Sequence, residues 1–427
     1  MHAGRLVIVC GAGLSMAPPS CLPPAWRVAE ASFDKYRLTI DPNCDQTLRH
    51  DLEALAQHFA DQNTLKSIFI ESLVPWKDFV RPPNLGHAAV ADFLVTRTVI
   101  ASLSSNYDTL IERCAIENGF DFQASLDGEQ ATVRARTQGP LLKFHGCGNL
   151  DRPSTVWTAS QLDDPIISER IARSKEWMAA NLRQKDLLVV GFWSDWDYLN
   201  GVLGTILEGV APLSVTVIDN ADAAVLEQKA PQLWAIAHGA QVTFTHVQES
   251  GADALDELRK VFSTNYLKAV LDAGRIAFEQ ATGVDSQPEW HEIPDFNTDV
   301  LYALRRDAEG VPAGKPATLA TPGQCEILGT FHLLLRQAGA VATPEGYRLN
   351  GRTIRVVNGA ASVLSQIKGR FVEAPAVTPT DFVVAAGAVS LPVPGNVVRV
   401  GRIDDFIRPA QAATWLDVAA ARVELGI

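Results

Sequence analysis

The sequence predicts an α/β protein: a Rossmann-like parallel sheet with helices on both faces, followed by a smaller α+β domain. Three observations lead there. Short β-branched runs alternate with helix-spaced segments through residues 5–245, the pattern of βαβ units. The first run, Arg5 to Cys10 (RLVIVC), is closed by glycines, as in a strand buried on both faces of a parallel sheet. From about Tyr266 the alternation gives way to helical stretches and then to β-like segments broken by Gly and Pro.

The elements follow in order. After the first strand, residues 26–36, 46–62 and 63–73 carry apolar side chains at helical spacing, and 86–94 forms a further helix. A second strand is expected over 98–103, ending in Ser104-Ser105-Asn106-Tyr107-Asp108. Residues 109–118 are amphipathic and stop at Gly119, a suitable helix C-cap. Further strands are expected at 141–144, ending at His145-Gly146, and at 186–190 (DLLVV), ending at Gly191. Two more are expected at 214–218 (SVTVI), ending at Asp219-Asn220, and at 241–245. Helices at 166–181, 196–208 and 222–237 fill the intervals. Five strand ends thus carry Gly, Asn, His, Ser or Asp, and in open α/β sheets the ligand lies at the carboxyl ends of the strands. In the tail, 266–281 and 324–339 read as helices, 346–357 and 381–400 as β segments, and 288–294 and 310–322 as loops. The expected domains are 1–262 and 263–427.

Composition narrows the function. The chain has 427 residues, 47% hydrophobic and 20% charged, enough apolar material for two or three domains. A net charge of −12 repels phosphate backbones at long range, so no direct nucleic-acid binding is expected. The cysteines (Cys10, Cys21, Cys44, Cys114, Cys147 and Cys325) form no CxxC pair, which argues for reduced buried thiols rather than a zinc ribbon or a disulfide framework. The first apolar run ends at Cys10 and passes into glycines, unlike a signal peptide, and no run approaches the ~20 residues needed to span a bilayer. A cytoplasmic location away from membranes is therefore expected.

The candidate site residues sit at the strand ends. Gly11-Ala12-Gly13-Leu14-Ser15 can bring backbone close to a pyrophosphate, or can simply make a tight strand-to-helix turn. The next stretch contains Pro18, Pro19, Pro23 and Pro24 and then a helix. It therefore lacks the second strand with an acidic end that a nicotinamide dehydrogenase needs. Asn106 and Asp108 are either helix caps or ligands of a water, a ribose hydroxyl or a carboxamide. His145 is either structural or a general base. Ser194 or Asp195 can cap the following helix, and Asp219 can accept hydrogen bonds from a ribose.

These signals occur in an order that resembles the sirtuins. Gly11-Ala12-Gly13-Leu14-Ser15 resembles their GAGxS phosphate loop, and Leu22-Pro23 the stretch that encloses nicotinamide. Pro83-Asn84-Leu85-Gly86-His87 is similar to their PNxxH segment, and Ser105-Asn106-Tyr107-Asp108 to their Q-N-x-D in its bacterial NYD form. Phe144-His145-Gly146 resembles the catalytic His-Gly, Gly191-Phe192-Trp193-Ser194 the G-T-S loop, and Val217-Ile218-Asp219-Asn220 the late V-x-I-N strand. The resemblance covers about residues 5–250. It implies NAD as substrate, with Gly11, Ala12, Gly13, Ser15, Pro23, Gly191, Ser194 and Asp219 around it and Asn106, Asp108 and His145 as catalytic residues.

The departures are informative too. The zinc module is missing, so no zinc is expected. The Phe-Arg that follows the GxP stretch is replaced by Pro24-Ala25-Trp26-Arg27, and Gln by Ser105. The pattern is similar to sirtuin-like effectors of bacterial anti-phage systems, which hydrolyse NAD. It implies an NAD+ glycohydrolase acting as a homo-oligomer or with a partner such as a helicase-type ATPase or a short Argonaute. An NAD-dependent deacylase or ADP-ribosyltransferase, and an idle NAD or ADP-ribose sensor, remain the alternatives. Residues 263–427 are expected to serve oligomerisation, partner docking or sensing.

Overall fold

The structure is a computed structural model describing residues 4–192, 197–207, 210–239, 241–311, 322–372, 380–389 and 413–427. The chain divides into two compact units, Met1–Asp256 and Glu257–Ile427. The division lies inside one long helix, Gly251–Thr282, which also contains residue 262.

The first unit is built on six parallel strands: β1 (Leu6–Cys10), β2 (Ala101–Ser104), β3 (Leu141–Leu142), β4 (Asp186–Val190), β5 (Ser214–Ile218) and β6 (Thr243–Val247). Their order across the sheet is β3-β2-β1-β4-β5-β6, and every neighbouring pair is parallel. This is the doubly wound Rossmann order. The chain direction across the sheet reverses between β1 and β4, so a crevice opens beyond the carboxyl ends of those two strands. The central strands are apolar because helices cover both faces: Val7, Ile8 and Val9 are fully buried. Helices Ala25–Thr39 and Leu52–Asp61 and the π-helix Leu65–Leu73 form a separate cluster between β1 and β2 in sequence, with a core of Phe33, Phe59, Phe69 and Trp157.

Local chemistry explains where the elements depart from expectation. The helix expected over 46–62 is a 3-10 turn followed by an α-helix, because the Asp51 carboxylate accepts the Ala54 N–H and starts the helix afresh. The one expected over 222–237 is two helices, Ala223–Lys229 and Pro231–Ala237, divided where Pro231 supplies no N–H. β3 covers two residues instead of four, because Gly146 N–H bonds Lys143 carbonyl and turns the chain out of the sheet. β2 begins at Ala101 rather than 98. β6 begins at Thr243 because Gln241 has a left-handed φ of 72° and belongs to the turn. The short helix Gly128–Arg134, capped by Asp127, was not foreseen.

The second unit has a five-stranded mixed sheet: β7 (Val341–Thr343), β8 (Gly346–Leu349), β9 (Arg352–Asn358), β10 (Phe382–Ala386) and β11 (Thr414–Asp417), in the order β11-β10-β9-β8-β7. β7, β8 and β9 form an antiparallel meander, and β9, β10 and β11 run parallel. Within this unit the helix starting at Gly251 crosses helix Pro322–Gln337 glycine on glycine. A Cβ on Gly274 would lie 2.1 Å from the Gly329 carbonyl carbon. The expected loop at 310–322 and the end of the expected β segment at 381–400 lie largely outside the described residues. Among the described residues, no helix is long and apolar enough to cross a membrane.

Candidate active site

The glycines after β1 and β4 exist for backbone proximity. Gly11 N–H donates to Val190 carbonyl at 3.0 Å, and Gly13 N–H to Gly191 carbonyl at 2.8 Å. A Cβ on Gly11 would lie 2.3 Å from Phe192 Cα. One on Gly191, whose φ is +57°, would lie 2.5 Å from Leu14 N. Only glycine lets the two loops pass this closely at the switch point.

Beyond these loops lies a cavity of about 890 Å³, within the usual size range of a small-molecule site. Its wall includes Ala12, Gly13, Ser15, Pro23, Asn106, Asp108, His145, Gly191 and Asp219. Gly11 stands just behind, its carbonyl accepting from Asn106 Nδ2 at 3.2 Å. Ser194 lies outside the described residues.

A closed network organises the floor. Asn84 caps helix Leu85–Val95 and gives its backbone N–H to His87 Nδ1 at 3.1 Å. That bond places the His87 proton on Nε2, which lies 3.0 Å from Ser15 Oγ and donates to it. Ser15 also accepts from Asn106 Nδ2 at 3.0 Å and donates its own proton to Asp108 Oδ2 at 2.9 Å. Its one proton and two lone pairs are therefore all engaged. Burial holds His87 down at about 4, with Asp108 opposing and Lys143 assisting, so it stays neutral as this tautomer requires.

Asp108 Oδ1 accepts the Leu110 N–H at 3.0 Å, so Asp108 both closes its turn and faces the cavity. Asn106 caps no helix. Its Oδ1 is buried and has no hydrogen-bond partner among the described residues. Asp219 closes its own turn on Ala221 N–H at 2.8 Å.

His145 is stacked on Tyr107 (centroids 5.1 Å apart), and Tyr107 on Trp157 (4.4 Å). Burial, aided by the Arg170 charge, pushes His145 down to about 3. It is therefore neutral across the physiological range. As a general base, one of the two roles its sequence position allows, it would titrate near pH 7. Its ring instead hydrogen-bonds the Ser105 backbone, which opposes the downward shift without overcoming it.

Several members of the site carried weak signals. His87 stood in the PNxxH segment without an assigned role. Tyr107 and Trp157 act through stacking, which spacing does not encode. Lys143 and Glu112 form a buried ion pair at 2.7 Å. The signal for Lys143 was a lone charge inside the apolar run LLKFHG. Four cysteines are buried, but Cys21 is exposed and Cys325 is partly so, against the expectation of buried thiols. Cys10, at the end of β1, is raised to about 12 by burial and is an inert thiol. No cluster of three or more metal-ligating side chains occurs among the described residues.

The sequence matches no family model, and no curated protein matches it. Similar solved structures do exist. One is a Sir2 homologue in complex with NAD, at 16% identity and a TM-score of 0.33, covering 59% of this chain and 87% of that one. Another is a Sir2 homologue mutant with ADP-ribose, at 16% identity and a TM-score of 0.32, covering 60% and 93%. A third is Sir2Tm bound to a propionylated peptide, at 14% identity and a TM-score of 0.31, covering 60% and 93%. Likeness at this level carries no functional weight, and the site stands on its own geometry.

Proposed function

We propose that the first unit binds NAD+ and hydrolyses its nicotinamide–ribose bond, releasing nicotinamide, ADP-ribose and a proton. The observation that carries this reading is the buried Asn106 Oδ1. This atom lacks a hydrogen-bond partner among the described residues, and its residue lines the cavity together with Asp108 and His145. A buried acceptor without a partner is costly unless a ligand or water satisfies it, and this one lies at the crevice where the Rossmann order binds dinucleotides.

The chemistry fits the charges present. Nicotinamide leaves as a neutral molecule while positive charge develops on the ribose, as in other glycosyl transfers. A carboxylate and a neutral imidazole at the floor favour that charge, whereas a protonated imidazole would oppose it. Asn106 Oδ1 would orient a ribose hydroxyl or the attacking water. Asp108, its carboxylate aimed by Ser15 and Leu110, would accept from the carboxamide. His145 would accept from a ribose hydroxyl, and the released proton passes to solvent. Ala12, Gly13, Ser15 and Gly191 would flank the phosphates, Pro23 the nicotinamide and Asp219 a ribose.

The wider role follows from that activity. Hydrolysis without a second substrate depletes NAD, the action expected of an anti-phage effector. We place residues 263–427 as the part that oligomerises, docks a partner or senses a signal. Removing them should change assembly state or regulation of NAD turnover, and a deletion with neither effect would refute that placement. The enzymatic claim is tested by Asn106→Ala and His145→Ala. Each should lower turnover at least ~10²-fold with the fold intact, and folded variants with normal turnover would refute the assignment.

A further inference from the structure

Against the backbone of Asp108 lies a second polar arrangement that the proposed reaction does not use. Lys143 is the first residue after β3 and stands two residues before His145. Its side chain is 1% exposed, and its ammonium pairs at 2.7 Å with Glu112, itself 7% exposed, on helix Leu110–Glu117. The same ammonium donates to the backbone carbonyl of Asp108 and lies 3.9 Å from Cys147 Sγ. Burial raises the Glu112 carboxyl against the pull of Lys143. Burial opposes the Lys143 charge, but Glu112, Cys147 and Asp108 together hold its proton on.

Asp108 is thereby gripped at three atoms from three directions. Ser15 holds Oδ2, Leu110 N–H holds Oδ1, and Lys143 holds the backbone carbonyl. The third grip comes from the loop that carries His145. Other links join these loops, among them Gly148 N–H to Tyr107 carbonyl at 2.9 Å, Asn149 Nδ2 to Thr109 Oγ1 at 3.3 Å, and the Tyr107–His145 stack. Those links hold the loops together without touching Asp108. A charged pair buried this deeply is a poor source of stability, so its placement on the backbone of Asp108 calls for another reason.

We propose that Lys143, anchored by Glu112, is a positioning residue that sets the Asp108 loop against the His145 loop for cleavage. This rests on the NAD-cleaving reading above. A displacement of about 1 Å in a reacting constellation can cost ~10²-fold in rate, while the cavity that binds the dinucleotide is left largely unchanged.

The test compares wild type with the neutral double variant Lys143→Met/Glu112→Gln, which leaves no lone buried charge. Turnover kinetics, NAD binding by calorimetry and thermal melting are measured on the full chain. The double variant should melt cooperatively and bind NAD within about threefold of wild type. Its kcat should fall about 10- to 100-fold. A second neutral pair, Lys143→Gln/Glu112→Gln, whose side chains can still hydrogen-bond each other, should show the same split to a smaller degree. It decides the matter if the Met/Gln variant does not fold. A folded variant with unchanged kcat, or one whose loss lies entirely in NAD affinity, overturns the positioning role. A wild-type chain that binds but never cleaves NAD overturns the parent reading instead, so the two failures are distinguishable.

Discussion

Asn106 and Asp108 stand two residues apart yet serve different ends. Asp108 spends one oxygen on its own turn and one on Ser15, whereas the Asn106 amide gives its protons to Gly11 and Ser15 and leaves its buried oxygen without a hydrogen-bond partner among the described residues. The motif was legible as a candidate; the division of labour was not, because it depends on Ser15, 91 residues away in sequence. The same applies to His145, whose residue type suggested a titration near neutrality but whose burial removes it.

That burial has a measurable consequence. His87 and His145 carry folded-state values of about 4 and about 3, below the unfolded value of ~6.5. Between these limits the unfolded chain takes up protons that the native one refuses. Native stability is therefore lost as pH falls below ~6.5, at up to about 1.4 kcal/mol per pH unit for each histidine. His332 in the second unit, lowered to about 3 by burial, acts in the same direction. Denaturant midpoints measured from pH 7 to pH 5 should fall, and His145→Asn should flatten the slope. A midpoint flat across that interval would contradict the neutral buried state.

At the scale of elements, periodicity located what long-range packing did not override. β4 and β5 occupy the residues that the sequence predicts, because each is a short β-branched or apolar run with most of its residues buried. Boundaries failed where a single side chain or turn decided them: Asp51 restarting a helix, Pro231 dividing one, Lys143–Gly146 ending β3 early. Close backbone approach was half legible. The glycines were visible in the sequence, but their contacts were not.

Gly191→Ala should destabilise the first unit by about 2 kcal/mol or more, since a left-handed φ costs ~1–2 kcal/mol before the contact with Leu14 N is counted. In the second unit, Gly274→Ala must push two helices apart against Gly329 and Thr330. A loss of ~3 kcal/mol is expected, at the upper end for overpacking. Chemical denaturation of each variant checks both figures, and a wild-type midpoint in either would contradict the packing described.

For the whole molecule, the sheet order makes sense of motifs that were scattered in sequence. Gly11 and Gly191 are 180 residues apart yet meet at the point where the strand order reverses. Asn106, His145 and Asp219 arrive there because parallel strands deliver all their carboxyl ends to one edge. The alternation of strands and helices makes that edge legible in the sequence. The second unit was legible only in outline, because its meander and parallel strands follow no motif that names a ligand.

The central claim is that this edge hydrolyses NAD. The direct measurement is NAD consumption by the purified full-length chain, with products separated by chromatography and Asn106→Ala alongside. Nicotinamide and ADP-ribose in equal amounts, formed without any acyl-lysine peptide and lost in the variant, is the predicted result. Nicotinamide released only when such a peptide is added, or equal turnover by Asn106→Ala, would contradict it.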